Sequence, residues 1–237
     1  MPLHIGIMAC SAEGAAECYR TICAEAAELL GPHGNPPVSL HMPSLADYVR
    51  HLEAGNLAGV GALMLETADR LASAGAEFLV CPDNTIHQAL PHLPGTLPLP
   101  FLHIAEVVAD EALRHGFRHL GLTGTRWLVE SDVYREALGR RDIALTLPTP
   151  DEREEMNRII MDDLVYGRFT SDAERAFQRI MARMGDDGCD AVVLGCTEIP
   201  LLINEKNAPL PVLDSTRLLA RAALRHAVEE RLPGRNA

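Results

Sequence analysis

The apolar positions of this chain fall in short unbroken runs separated by helical stretches and by turns rich in Gly, Pro, Asn and Asp. His4-Ile5-Gly6-Ile7-Met8 reads as a strand, followed by a turn and a helical stretch that carries Cys18-Tyr19-Arg20. Phe78-Leu79-Val80-Cys81 reads as a second buried strand ending in polar residues, and Pro98-Leu99-Pro100-Phe101-Leu102-His103 leads into a long apolar helix. His119-Leu120-Gly121-Leu122, the run from Ala191 to Leu194, and Pro209-Leu210-Pro211-Val212-Leu213-Asp214 show the same character further on. Continuous apolar runs of this length, bounded by turn residues and alternating with helices, predict parallel sheets covered on both faces.

The pattern repeats. His4 and Tyr19 recur as His119 and Tyr134 at an offset of 115 residues. Gly75 to Thr85 matches Gly188 to Glu198 at 113, and Pro98 to His103 matches Pro209 to Asp214 at 111. Three matches in one order, with offsets drifting by a few residues, argue for an internal duplication whose period is too long for a solenoid. The expected fold is therefore α/β, with two pseudo-symmetric three-layer domains, parallel sheets, and an active-site cleft between them. Residues 99–214 would form the second domain. The first would combine residues 1–98 with 215–237, its last helix running from Ser215 to about Arg231.

In open parallel sheets ligands bind beyond the carboxyl ends of the strands. Four such ends stand out: Ala9-Cys10-Ser11-Ala12, Asp83-Asn84-Thr85, Thr123-Gly124-Thr125 and Cys196-Thr197-Glu198. Their small hydroxyl, amide and thiol groups, next to backbone amides of the following helices, suit a carboxylate or phosphate. No G-x-G-x-x-G or P-loop pattern follows either opening strand, so nothing points to a nucleotide.

Composition narrows the picture. Against 33 acidic residues stand 21 basic ones, a net charge of −12 without a basic run, which excludes a phosphate-backbone partner such as nucleic acid. No apolar stretch reaches membrane-spanning length and no basic leader precedes the first strand, so no membrane association and a cytoplasmic location are expected. The one lysine, Lys206, lies in a loop-like stretch, a poor place for a pyridoxal Schiff base. The six cysteines form no C-x-x-C pair and no zinc spacing, so neither metal nor disulfide is expected; Cys18, Cys23 and Cys189 read as core.

The repeat makes Asp83 and Cys196 equivalent positions. A thiolate that removes a proton from carbon, paired with an acid that returns one to the opposite face, is the arrangement for α-proton exchange with inversion. A free thiol titrates near about pH 8.5, so Cys196 needs an activating partner. Asp83 is either that second group or the N-cap of the helix-like stretch after Thr85. His87, one turn beyond, either packs or points back toward Asp83. Glu13, Arg50 and Arg126 are charges available to select a distal carboxylate.

At these residues the chain resembles the cofactor-independent aspartate/glutamate racemase family. Leu194-Gly195-Cys196-Thr197-Glu198-Ile199-Pro200-Leu201-Leu202 looks like that family's second catalytic motif, and Gly121-Leu122-Thr123-Gly124-Thr125-Arg126 with Glu130 to Tyr134 is similar to its second-domain opening. Asp162 to Phe169 is similar as well. The resemblance implies no cofactor, a small carboxylate or amino-acid substrate and commonly a homodimer. It implies Cys196 as catalytic base, with Asn84, Thr85, Thr125, Thr197 and Glu198 lining the substrate, and it places Ser11 in a loop that contributes pocket residues. The first motif departs: Pro82-Asp83-Asn84-Thr85-Ile86-His87 carries aspartate where the family has its first catalytic cysteine, and Ala9-Cys10 stands where Gly-Gly is usual. Cys81 lies two residues earlier on the strand and does not inherit that role. Two alternatives keep the fold: a single-cysteine decarboxylase or lyase in which Cys196 protonates a carbanion, and a non-catalytic carboxylate-binding protein.

Overall fold

In the computed structural model, residues 1–229 are described; the expected end of the last helix near Arg231 and the rest of the first domain's tail lie outside them. The order is β1 (Ile5–Met8), α1 (Ala12–Leu30), β2 (Val38–His41), α2 (Leu45–Glu53), α3 (Leu57–Ser73), β3 (Phe78–Val80), a 3₁₀ segment Thr85–His92, β4 (Phe101–Leu102) and α4 (Ile104–Arg114). Then follow β5 (His119–Thr123), α5 (Arg126–Glu130), α6 (Val133–Gly139), β6 (Ala144–Thr146), α7 (Pro150–Arg158) and a π-helical turn Ile159–Asp163. The chain continues through α8 (Ser171–Asp186), β7 (Ala191–Leu194), a 3₁₀ turn Ile199–Leu201, β8 (Val212–Asp214) and α9 (Ser215–Glu229).

Two four-stranded sheets result, ordered β2-β1-β3-β4 and β6-β5-β7-β8, with every pairing parallel. The α/β expectation and the repeat are thus realised as one strand order used twice. β1, β3 and β7 are buried along their whole length, as strands covered on both faces must be. The edge strands β2 and β6 are half-exposed, and the sequence pattern did not reveal them. In the second sheet's unit the core gathers Met156, Ile160, Phe177, Ile180, Met181 and Met184 under Val192 and Leu194.

The chain divides into one unit of Met1–Ile104 with the segment from Thr216 onward, and another of Ala105–Ser215. The boundary falls at Ile104, not at residue 98, because Phe101 and Leu102 pair with Leu79 and Val80 and so complete the first sheet. α4 follows the first sheet in the chain yet belongs to the second unit, while α9 belongs to the first. Leu3 N donates to Ala227 O at 2.8 Å, Arg221 pairs with Glu25 at 2.8 Å, and the rings of Phe78 and His226 stand 4.6 Å apart.

The duplication is looser in the helices. α1 is continuous, whereas its counterpart is broken into α5 and α6 at Ser131-Asp132. Tyr19 is consequently 47% exposed and Tyr134 is 1% exposed, although the flanking sequence matches. The break turns the second copy's helix and changes which face is inward.

Candidate functional site

The end of β7 presents Cys196. The preceding Gly195 donates its amide to Thr123 O at 2.9 Å, and a β-carbon there would meet that oxygen at 2.5 Å, so only glycine lets β7 leave its sheet at this point. Thr123 Oγ1 donates to Val193 O and Ser215 Oγ donates to Leu194 O, each at 2.8 Å, which pins the last residues of β7 from neighbouring β5 and from the first residue of α9. Cys196 is half-buried, and its Sγ donates to Glu198 Oε2 at 2.9 Å. Thr197 Oγ1 donates to the same oxygen at 2.8 Å. Glu198 is only 4% exposed. In this arrangement one carboxylate oxygen accepts from both a thiol and a hydroxyl, a geometry in which a thiol proton can pass to a carboxylate.

Asp83 follows β3 and stands two residues before the 3₁₀ segment, whose cap position is Asn84. Its Oδ1 accepts from Ile86 N at 3.1 Å, a capping bond made from one residue ahead of the cap position. His87 does point back, but to the main chain: its Nδ1 donates to Asp83 O at 2.7 Å and its Nε2 accepts from Ile104 N at 3.3 Å. Burial, then the neighbouring His103, holds the His87 imidazole well below the usual histidine range, against the opposing effect of the Asp83 carbonyl. Asn84 and Thr85 are buried beside it.

Cys81 and Cys18 are buried, whereas Cys196 is half-buried. Cys81 is fully buried, its Sγ 3.8 Å from Asp83 O, and burial followed by the Asp83 charge pushes it well above the ordinary thiol range. Burial likewise pushes Cys18 up to about 12. Thiols so protonated are inert. Tyr48, which nothing in the sequence singles out, is buried on α2, and burial together with Cys81, Cys10 and Asp83 pushes its phenol up. It is the unforeseen neighbour of the Asp83 turn.

Ser11 and Thr125 occupy matching positions as N-caps of α1 and α5, accepting from Gly14 N at 3.4 Å and Leu128 N at 3.3 Å. The structure thus brings Cys196, Thr197 and Glu198 together in one unit, and Asp83, Ile86 and His87 in the other. Of the charges considered for a distal carboxylate, Arg50 pairs with Asp47 at 2.8 Å, Arg126 lies 3.9 Å from Glu154, and Glu13 is exposed. Among the described residues no group of three or more His, Cys, Asp or Glu is placed to hold a metal ion, and no helix is long and apolar enough to cross a membrane.

A family model described as Asp/Glu/Hydantoin racemase matches residues 5–223. A glutamate racemase from Thermus thermophilus is 32% identical over 177 residues, covering 71% of this chain and 62% of that protein, so the chain spans less than two thirds of that relative's length. The fold agrees with a crystal structure from Yersinia pestis, provisionally described as an Asp/Glu racemase, at a TM-score of 0.86 and 30% identity over 95% of this chain and 99% of the other. It also agrees with an aspartate racemase homologue from Pyrococcus horikoshii OT3, at a TM-score of 0.78 and 26% identity over 96% and 99%.

Proposed function

Because the chain belongs to the Asp/Glu/Hydantoin racemase family, we propose that it is a cofactor-independent racemase exchanging the α-proton of a small amino acid or related carboxylate. The observation that carries this reading is the contact of 2.9 Å between the Cys196 thiol and the buried Glu198 carboxylate at the end of β7. Glu198 takes the thiol proton, and the Cys196 thiolate takes the α-proton of the substrate. The electron pair left on carbon is delocalised into the substrate carboxyl group. Asn84, Thr85, Thr125 and Ser11, with the amides at the helix starts, donate to that carboxyl group as its charge grows, while the Thr197 hydroxyl, which donates to Glu198, holds that carboxylate in place.

Asp83 takes the reciprocal role: as the carboxylic acid it returns a proton to the face opposite the one from which the first left, and inversion follows. In the reverse direction its carboxylate is the base. The protein works as a homodimer in the cytoplasm, a location supported by six cysteines that are all unbridged. A second reading is supported by the Asp83 side chain already serving as a cap: a one-base enzyme in which Cys196 alone protonates a carbanion, as in a decarboxylase.

Proton NMR in D₂O with both enantiomers of aspartate, glutamate and other amino acids, beside optical rotation, tests the proposal. Loss of the α-hydrogen signal with inversion is the expected result. Exchange without inversion would support the one-base reading, and a chain that exchanges nothing across the panel would refute the racemase.

A further inference from the structure

The Asp83 turn carries a residue that the proposed chemistry leaves unused. His87 is 1% exposed, and both ring nitrogens have main-chain partners: the Asp83 carbonyl at 2.7 Å on Nδ1 and the Ile104 amide at 3.3 Å on Nε2. A carbonyl only accepts and an amide only donates, so the ring is neutral with its proton on Nδ1. His103 stands edge-on to it with ring centroids 4.6 Å apart, and Phe101 lies at 5.4 Å. The ring has one orientation in this packing.

We propose that His87 is a positioning residue for Asp83, fastening the main chain of the strand-end residue to the first amide of α4 and so holding the Asp83 carboxyl in place for proton transfer. This rests on the reading that Asp83 takes part in α-proton exchange. Two anchors of different reach hold the Asp83 turn. The Ile86 amide holds its Oδ1 from within the same turn and moves with it. His87 ties that turn to Ile104, 17 residues further along, where a separate element begins. Ile104 in turn gains an acceptor for an amide that a helix start leaves without an intrahelical partner. The preceding residue, His103, is not among the favoured caps.

The second unit solves the same task differently. Its counterpart of Ile104 is Ser215, whose own hydroxyl donates to Leu194 O at 2.8 Å, and its counterpart of His87 is Pro200. There the helix start binds the strand directly. In the first unit no side-chain hydroxyl is available at Ile104, and the imidazole spans the gap.

The test compares His87→Leu, which removes both bonds, with His87→Asn, which keeps a donor near the Nδ1 position, in the full chain. Amide hydrogen exchange at Ile86 and Ile104 is read by NMR, beside kcat and KM for α-proton exchange. In His87→Leu both amides should exchange about tenfold faster or more, and kcat should fall about tenfold or more at little-changed KM. His87→Asn should recover Ile86 protection and most of kcat while Ile104 stays fast. Unchanged Ile86 protection in His87→Leu overturns the proposal. So does a loss of kcat that His87→Asn fails to recover, or a uniform loss of protection across the first unit in both variants. Should the wild-type chain exchange no substrate, the functional reading fails, while the amide pattern still decides whether His87 holds the Asp83 turn.

Discussion

The amino ends of the two sheets are nearly copies of each other, and their carboxyl ends are not. At the start of β1, His4 bonds Ser39 Oγ at 2.9 Å, and its amide donates to Glu77 Oε2 at 2.8 Å. At the start of β5, His119 bonds Thr146 Oγ1 at 2.7 Å, and its amide donates to Asp190 Oδ2 at 2.9 Å. Gly75 and Gly188 precede the two acidic residues with the same φ of +92°. At the other end, Asp83 stands against Cys196, Thr85 against Glu198 and His87 against Pro200. The end that only holds strands together kept the same kinds of bonding group in both copies, hydroxyl for hydroxyl and carboxylate for carboxylate, while the end that carries the candidate site residues diverged. A shared scaffold therefore presents a carboxylate cap in one unit and a thiol–carboxylate pair in the other.

Removing the thiol is the largest way to break this contrast. Cys196→Ala should lower α-proton exchange by about 10³-fold or more, since an acid–base group of this kind supplies about 10² to 10⁴; exchange kept near the wild-type rate would refute the mechanism. Glu198→Gln keeps the shape and removes the proton acceptor, so turnover should fall about 10²-fold and the pH–rate profile should move to higher pH. A profile that stays in place would separate Glu198 from the thiol.

Changing Asp83 sharpens the comparison. Asp83→Cys makes the two strand ends alike and should raise the ratio of inversion to exchange. Asp83→Ala should lower inversion further than exchange and cost about 1 kcal/mol in urea unfolding through loss of the cap. Acid titration of stability tests the first unit alone. His87 binds a proton in the unfolded chain below its ordinary value of 6.5 but not in the fold, where burial and His103 oppose it. Stability is thus fully present above that pH and is lost as pH falls below it, by at most about 1.4 kcal/mol per unit. His87→Asn should show a shallower acid slope over the same range. The smallest effect belongs to the conserved ends: Gly75→Ala and Gly188→Ala should each cost about 1 kcal/mol or somewhat more, because L side chains rarely adopt that φ. Markedly unequal costs would show that the two scaffolds carry different loads.

The apolar runs at β1, β3, β5 and β7 were legible because these strands are central and excluded from water on both faces, so their side chains need not alternate. β2 and β6 were missed for the opposite reason. They lie at sheet edges, half-exposed, and four or three mixed residues leave no period to read. The residues from Asp83 to Thr85 and from Cys196 to Glu198 stood out because small polar groups follow buried strands. That Glu198 turns onto the Cys196 thiol, and that His87 reaches Ile104, did not.

Read alone, the sequence determined the parallel α/β architecture, the duplication and the places where chemistry-bearing residues leave the strands. Burial of long apolar runs is a summed effect, insensitive to the direction of any one bond, and it shows in composition and spacing. Only the tertiary structure decided where the first unit ends, which face the second copy's broken helix turns inward, and which atom each strand-end group meets. Those outcomes hang on hydrogen bonds that fail within about an ångström of their ideal length, and loop dihedrals and packing set such distances in ways no residue spacing records.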